Sequence, residues 1–417
     1  MQDSAISSLS PEKFPFDMKL LPQQVYIVGG AVRDAILSNS REYLDLDFVL
    51  PKDAIKVAQH IAKYHQAGFV VLDSERKIAR VIFPNATVDF AQQEGDSIEA
   101  DLHRRDFTVN AIAYNPHTRE IIDPLQGSMD LTSRLMRMIS YRNLANDPLR
   151  LLRAYRQASQ LDFVIETDTR IAIRNLAPKI SQTAVERVRV ELCYLLNIQI
   201  GGTHWLENAW EDGLLALYFS HATKESFSKL SKIDVAARKL EQAYQFLGKQ
   251  LQEYILDTVK ITWCGIAKLA CLVHPQPEIA ETELNMMTYS RAEIKAVIIS
   301  LRLLPHLKVR QMSLREKYFF FRAAGKVFPA VVLFALGNDY PIESIEPLIT
   351  HYLNDNDLVA HPNNLVNGKE IMESLGIPAS PIIGKILVEI AVAQAEGRVS
   401  TKYEAVALAK QLREEAN

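Results

Sequence analysis

Residues 29–50 read "GGAVRDAILSNSREYLDLDFVL", and this stretch decides the fold of the first third of the chain. A glycine pair, Gly29 and Gly30, leads into an Arg-Asp step, Arg33 and Asp34, at the start of a helical pattern. The pattern then changes to strict alternation. Asp45, Asp47 and Val49 fall on one face of a strand, and Leu46, Phe48 and Leu50 on the other, because successive strand side chains point to opposite sides. One face is apolar and directed at a core. The other carries two neighbouring carboxylates, which repel each other unless something positive sits between them.

Outward from this stretch, "VYIVGG", "LDLDFVL", "GFVVLD", "KIARVIF" and "TVDFA" predict strands, and "AVRDAILS" and "AIKVAQHIAKYH" predict the helices between them. From "DPLRLLRAYRQASQLDF" onward nearly everything has helical spacing, punctuated by "HPQPE", "LLPHL" and "GIPASP". The expected fold class is α+β, an N-terminal mixed sheet carrying helices and then an all-α remainder. Breaks are expected near residues 140–146, near Gly201 and before His361.

The 417 residues are 48% hydrophobic and 23% charged, which suits a sizeable core in roughly two to four domains. With 47 Lys+Arg against 50 Asp+Glu, the net charge of −3 neither requires nor excludes a nucleic-acid partner. Cys193, Cys264 and Cys271 form no CxxC pair, as suits a reducing compartment. No basic start followed by an apolar run opens the sequence, and no stretch reads as long and apolar enough to span a bilayer. A cytoplasmic location is expected.

Spacing alone leaves the acidic pair open. It could be the polar face of a half-exposed strand, a metal-dependent glycosyltransferase pair, or a site for phosphoryl transfer, where paired Mg²⁺ ions about 3.5–4 Å apart hold the attacking and leaving oxygens. The glycine turn adds phosphate chemistry, since free N–H groups at a helix start favour anions, although a tight turn calls for glycine in any case.

Further motifs follow. In "RRDFTVNAIAYN", residues 104–115, Arg104 and Arg105 offer planar donors suited to a triphosphate, Asp106 can accept from a ribose hydroxyl, and Asn110 is expected to brace the turn. In "NDPLRLLRAYR", Asn146 and Asp147 are cap candidates and Pro148 starts a helix on which Asp147, Arg150 and Arg153 recur at spacing three. A capped helix with an i,i+3 ion pair has the same spacing. A carboxylate that accepts from an amino group, beside a guanidinium that donates to a ring nitrogen, fits the Watson–Crick edge of cytosine or adenine, and a wrong base leaves polar groups unpaired. Glu186, Arg187 and Glu191 in "ERVRVEL" are expected to be structural. Residues 291–326 hold nine Lys/Arg against two Glu; Arg291, Lys295, Arg302, Lys308 and Arg310 could track RNA phosphates or be the solvated faces of amphipathic helices. None of the ten histidines is followed by Asp, so an HD phosphohydrolase motif is absent.

"GGAVRD…DLDFVL" resembles the signature of the polymerase-β-type nucleotidyltransferases. With "RRDFTVNAIAYN", "DPLRLLRAYR" and "ERVRVEL", residues 24–195 are similar to the class II tRNA nucleotidyltransferases (CCA-adding enzymes) and bacterial poly(A) polymerases. "LVNGKEIMESLGIP" is a weaker echo. The resemblance implies a nucleotidyltransferase head (1–142), a base-recognising neck (143–200), and a body (201–360) and tail (361–417) that bind tRNA. It implies Mg²⁺-dependent transfer of CMP and AMP from CTP and ATP to the tRNA 3′ end without a nucleic-acid template. Asp45 and Asp47 would be the catalytic metal ligands, with Asp89 in "TVDFA" a candidate third carboxylate. Gly29, Gly30, Arg33, Arg104 and Asn110 would serve the nucleotide, Arg105 and Asp106 the ribose 2′-hydroxyl, and Asp147, Arg150 and Arg153 the base.

The chain departs from the family pattern at Asn146, where Glu is usual, and at Gln157, where Phe is usual. The segment between the acidic strand and "RRDFT" is short, in the region that carries the loop tied to final A addition. CCA addition, CC addition only, and A addition beside a second nucleotidyltransferase are all open on sequence. A poly(A) polymerase usually carries a basic C-terminal extension that "ALAKQLREEAN" does not provide. A DxD glycosyltransferase would not need "RRDFT", and a non-catalytic tRNA-binding protein would not need both aspartates.

Overall fold

The alternation at residues 44–50 organises a seven-stranded mixed sheet of order β3-β4-β5-β2-β1-β6-β7. Its strands are β1 (Tyr26–Val28), β2 (Leu44–Leu50), β3 (Gly68–Asp73), β4 (Ile78–Phe83), β5 (Ala86–Gln92), β6 (Ala113–Tyr114) and β7 (Ile121–Ile122). The first five match the expected strands. The last two have two residues each, too few for a period to reveal. Strand β2 runs antiparallel to β1 and parallel to β5, in a register that sets Asp47 opposite Asp89 and Phe48 opposite Phe90. The computed structural model describes residues 9–39, 43–198, 202–308 and 312–415; Gly201 and Arg310 lie outside them.

The apolar face of β2 and β5 stacks Phe48 on Phe90, with ring centroids 5.4 Å apart, and Phe14 and Phe16 from the N-terminal segment close over them. Such an aromatic pair adds about 0.5–1.5 kcal/mol beyond its buried area. The helices around the sheet are α1 (Gly30–Ile36), α2 (Ala54–His65), α3 (Ile98–His103), α4 (Gly127–Thr132), α5 (Tyr141–Asn146) and α6 (Leu149–Leu161). On the opposite face Val28, Val49, Ile98, Leu102, Ala111 and Ala113 form a second cluster. Val49 is therefore 2% exposed, although its spacing puts it with the aspartates. Helix α3 covers that end of β2 and leaves Asp45 and Asp47 uncovered.

The chain divides into two units, Met1–Ala184 with Glu211–Leu214, and Val185–Trp210 with Leu215–Asn417. The second is mostly helical, but an antiparallel pair, Tyr254–Leu256 with Val259–Thr262, interrupts it. The all-α expectation missed this pair because its strands are three and four residues long. Lys268 is fully buried there, its Nζ 2.6 Å from Asp234 Oδ1 and 2.7 Å from the Ile198 carbonyl. Residues from Val366 to Ala409 build a separate small core.

By length and composition one helical run among the described residues, Leu314–Gly337, could cross a membrane. The sequence reading missed it. A 3-10 turn at Gly325–Val327 interrupts the run, and nearly all of Phe328–Gly337 is buried inside the second unit, so the run packs as a core element.

Candidate active site

Strand β1 ends in a glycine turn that must pass close to β2. Gly29 has φ +72°, a conformation side chains disfavour, and a Cβ there would lie 3.4 Å from Asp47 Oδ2 and 3.6 Å from Arg105 Nη1. Backbone, carboxylate and guanidinium thus meet at one point. Asp45 and Asp47 are both exposed on the polar face of β2. Asp47 keeps open surface but is crowded by protein atoms. That crowding, with repulsion from Asp89 and Asp45, outweighs attraction by Arg105 and Arg80 and raises its carboxyl to about 6.

Asp89 adjoins Asp47 in register, but Arg80 of β4 holds both its oxygens, Nε to Oδ1 at 2.7 Å and Nη2 to Oδ2 at 2.8 Å. The expected third metal carboxylate thus faces a guanidinium. Among the described residues no three His, Cys, Asp or Glu side chains form a metal-binding group. Two carboxylates still suit Mg²⁺, which takes one or two from protein and fills the rest with water and substrate phosphate. Burial is the largest cause of the raised Asp47 carboxyl, and the repulsion from Asp89 and Asp45 that adds to it is charge a cation would offset.

The "RRDFT" turn is held from three sides. Asp101 on α3 accepts from Arg105 Nε and Nη2 at 3.3 and 3.1 Å and turns that guanidinium toward Gly29. Asn143 Nδ2 donates to the carbonyls of His103 and Arg105 at 2.7 and 2.8 Å. Arg150 Nη1 donates to the carbonyls of Arg104, Arg105 and Asn143. Arg104 diverges from Arg105: its side chain is 62% exposed and pairs with Glu94.

Helix α6 starts after Pro148, and Asp147 precedes it, accepting from the Leu149 N–H at 3.3 Å. Of the two cap candidates, Asp147 makes this contact, while Asn146 ends α5. Arg153 Nη2 lies 3.0 Å from Asp106 Oδ2. Burial alone would raise Asp106, but Arg153, the Asn110 amide and Arg150 together hold its carboxyl below the usual range. Arg33 is buried, its Nη1 2.9 Å from Asn110 Oδ1 and its Nη2 2.8 Å from Asp34. It faces inward as a brace.

The segment between β5 and α3, residues 93–97, is five residues long and tied down. The Gln93 N–H donates to the Leu50 carbonyl at 2.7 Å, the Glu94 N–H to Asp101 Oδ1 at 3.0 Å, and Ser97 caps α3.

Sequence reasoning missed Asp101, which its i,i+4 spacing to Arg105 could have revealed. It also missed Tyr155, fully buried on α6, whose hydroxyl donates to Asp212, as do Arg170 and Arg174. No local signal links residues so far apart. In the second unit Arg291, Lys295 and Arg302 line one exposed stripe of the helix Arg291–Leu303, Arg302 pairs with Glu278 at 3.3 Å, and Lys308 is exposed beyond the helix.

A mixed sheet with two exposed carboxylates on one strand, beside a glycine turn and an arginine, is the arrangement expected of a nucleotidyltransferase. Residues 25–137 match the family model described as Poly A polymerase head domain, 162–225 the probable RNA- and SrmB-binding site of polymerase A, and 258–409 tRNA nucleotidyltransferase domain 2. The chain is 48% identical over 406 residues to the CC-adding tRNA nucleotidyltransferase of Synechocystis sp., covering 96% of each chain. It is 28% identical to the CC-adding tRNA nucleotidyltransferase of Geobacter sulfurreducens, covering 91% of this chain and 90% of that one. The Thermotoga maritima CCA-adding enzyme complexed with tRNA shares the fold, with TM-score 0.67 at 22% identity over 94% of this chain and 91% of that one. The chain belongs to the tRNA nucleotidyltransferase family. This family generally depends on metal.

Proposed function

We propose that this chain transfers CMP from CTP to the 3′ end of tRNA, adds two cytidines and stops. The observation that carries the restriction is the segment between the acidic strand and "RRDFT", residues 51–103, in which no link between elements exceeds five residues; Asp73 holds the turn at residues 74–77, and Leu50, Asp101 and the Glu94–Arg104 pair hold residues 93–97. The resemblance ties A addition to a mobile loop in this segment, and short links held in this way leave no room for one. The likeness to two CC-adding enzymes supports the same reading. A second nucleotidyltransferase would then supply the terminal A from ATP.

Asp45 and Asp47 would hold Mg²⁺, and the chemistry it would supply is activation of the RNA 3′-hydroxyl and neutralisation of charge at the α-phosphate, from which pyrophosphate leaves. The N–H groups of the Gly29–Gly30 turn and Arg105 take the triphosphate. Asp106 and Arg153, already joined, face the ribose and base, while Arg150 and Asp147 complete the base contacts. These side chains replace a nucleic-acid template. Asp89, with Arg80 as its partner, sets the local charge beside Asp47. Residues 1–142 form the head, 143–200 the neck, and 201–360 and 361–417 the tRNA-binding body and tail, with Arg291, Lys295, Arg302 and Lys308 along tRNA phosphates. A cytoplasmic location suits three buried free cysteines.

The test is pyrophosphate release from CTP with a tRNA ending before CCA. Asp45→Ala and Asp47→Ala are each expected to lower it about 10³-fold or more with tRNA affinity unchanged. Activity retained in the double variant would remove the metal assignment.

A further inference from the structure

We propose that Gln157 is a positioning residue that fixes the Asn110 amide and locks the base-facing helix α6 to the turn at residues 106–110; this rests on the nucleotidyl-transfer reading above. Arg33 has donors only, and an ionised Asp106 has acceptors only. Arg33 Nη1 lies 2.9 Å from Asn110 Oδ1, and Asn110 Nδ2 lies 3.0 Å from Asp106 Oδ1. Asn110 therefore has one permitted orientation. Its second N–H meets Gln157 Oε1 at 2.8 Å, so Gln157 must present its carbonyl. Arg33, Asp106, Asn110 and Gln157 are 9, 5, 6 and 4% exposed, and a buried amide N–H needs this acceptor.

Gln157 follows Arg153 by one helical turn, so both point from one face of α6. Arg153 grips Asp106 at 3.0 Å and Gln157 grips Asn110 at 2.8 Å, and the Asn110–Asp106 hydrogen bond closes the ring. One grip would leave the helix free to roll about the contact; two resist it. Through Arg33 the ring reaches α1, the short helix that follows the Gly29 turn. The groups facing sugar and base thereby keep a fixed offset from those facing the phosphates. An apolar side chain of equal length would fill the same space and drop one grip.

The test compares Gln157→Met, which loses the acceptor, Gln157→Lys, which offers only donors, and Gln157→Glu, which keeps an acceptor oxygen. Extension of a tRNA ending before CCA is followed with CTP, dCTP and UTP, alongside thermal melting. Met and Lys are expected to raise KM for CTP and reduce the CTP:dCTP and CTP:UTP ratios of kcat/KM by about ten- to hundredfold, with kcat less affected, and Glu to recover most of both ratios. Where the Met variant does not fold, the Lys and Glu variants decide. Native ratios in folded Met or Lys variants, even at a lower melting temperature, or equal ratios in Lys and Glu, would overturn the proposal. A native protein that incorporates no CMP would overturn the nucleotidyl-transfer reading along with it.

Discussion

At Asp47 crowding and like charge meet in one carboxyl. Its ordinary pKa of 3.8 is raised to about 6 by crowding and by Asp89 and Asp45. Between those values the folded state holds a proton the unfolded chain has lost, so this contribution to stability is fully present below pH 3.8 and is lost as pH rises through about 6. Cation binding needs the ionised form, so its pH dependence has the opposite sense. Mg²⁺ affinity measured by calorimetry is expected to fall about tenfold per pH unit below pH 6, with proton release on binding. In metal-free protein, melting temperature should fall more between about pH 5 and 7 than it does in Asp47→Asn. Equal falls would mean that Asp47 titrates normally. Period-two alternation made Asp45 and Asp47 legible in sequence. The inward turn of Arg33 and the capture of Asp89 by Arg80 were not legible, because both depend on residues from other elements.

At the scale of elements, the motif turns are placed by close backbone contacts as well as by hydrogen bonds. Gly127 opens α4 against the "RRDFT" turn, where a Cβ would lie 2.3 Å from the Thr108 carbonyl oxygen. No rotamer relieves a backbone clash. Gly127→Ala is expected to destabilise the protein by about 1–3 kcal/mol and to lower CMP transfer, since Thr108 belongs to the motif. Gly384, inside the helix Pro381–Ala395 with nothing within 4 Å of its would-be Cβ, is the control. Gly384→Ala should stay within about 0.5 kcal/mol of native or gain stability from helix propensity. Denaturant unfolding of both variants checks this, and equal losses would count against the close approach. The helix Ala54–His65 was readable to its ends from its apolar spacing. The two-residue strands and the pair at residues 254–262 were not, because sheet partners rather than local period create them.

At the scale of the whole molecule, the change from short alternating runs to helical spacing located the sheet within the first unit. The unit boundary was less legible, since residues 211–214 return to the first unit. Asp212, buried among Tyr155, Arg170 and Arg174, anchors that return. A net charge of −3 over 417 residues neither requires nor excludes an RNA partner; the exposed stripe of Arg291, Lys295 and Arg302 is a local arrangement that net charge does not report. The proposed stop after two cytidines rests on the segment between the acidic strand and "RRDFT", whose shortness was visible in sequence and whose tethering was not. The most direct measurement is to incubate the purified protein with Mg²⁺, CTP and ATP and a tRNA transcript ending before CCA, and to sequence the 3′ ends. The account predicts products that end in CC and a CC-ended tRNA that gains no A. Products carried through to CCA, or extended with runs of A, would contradict it.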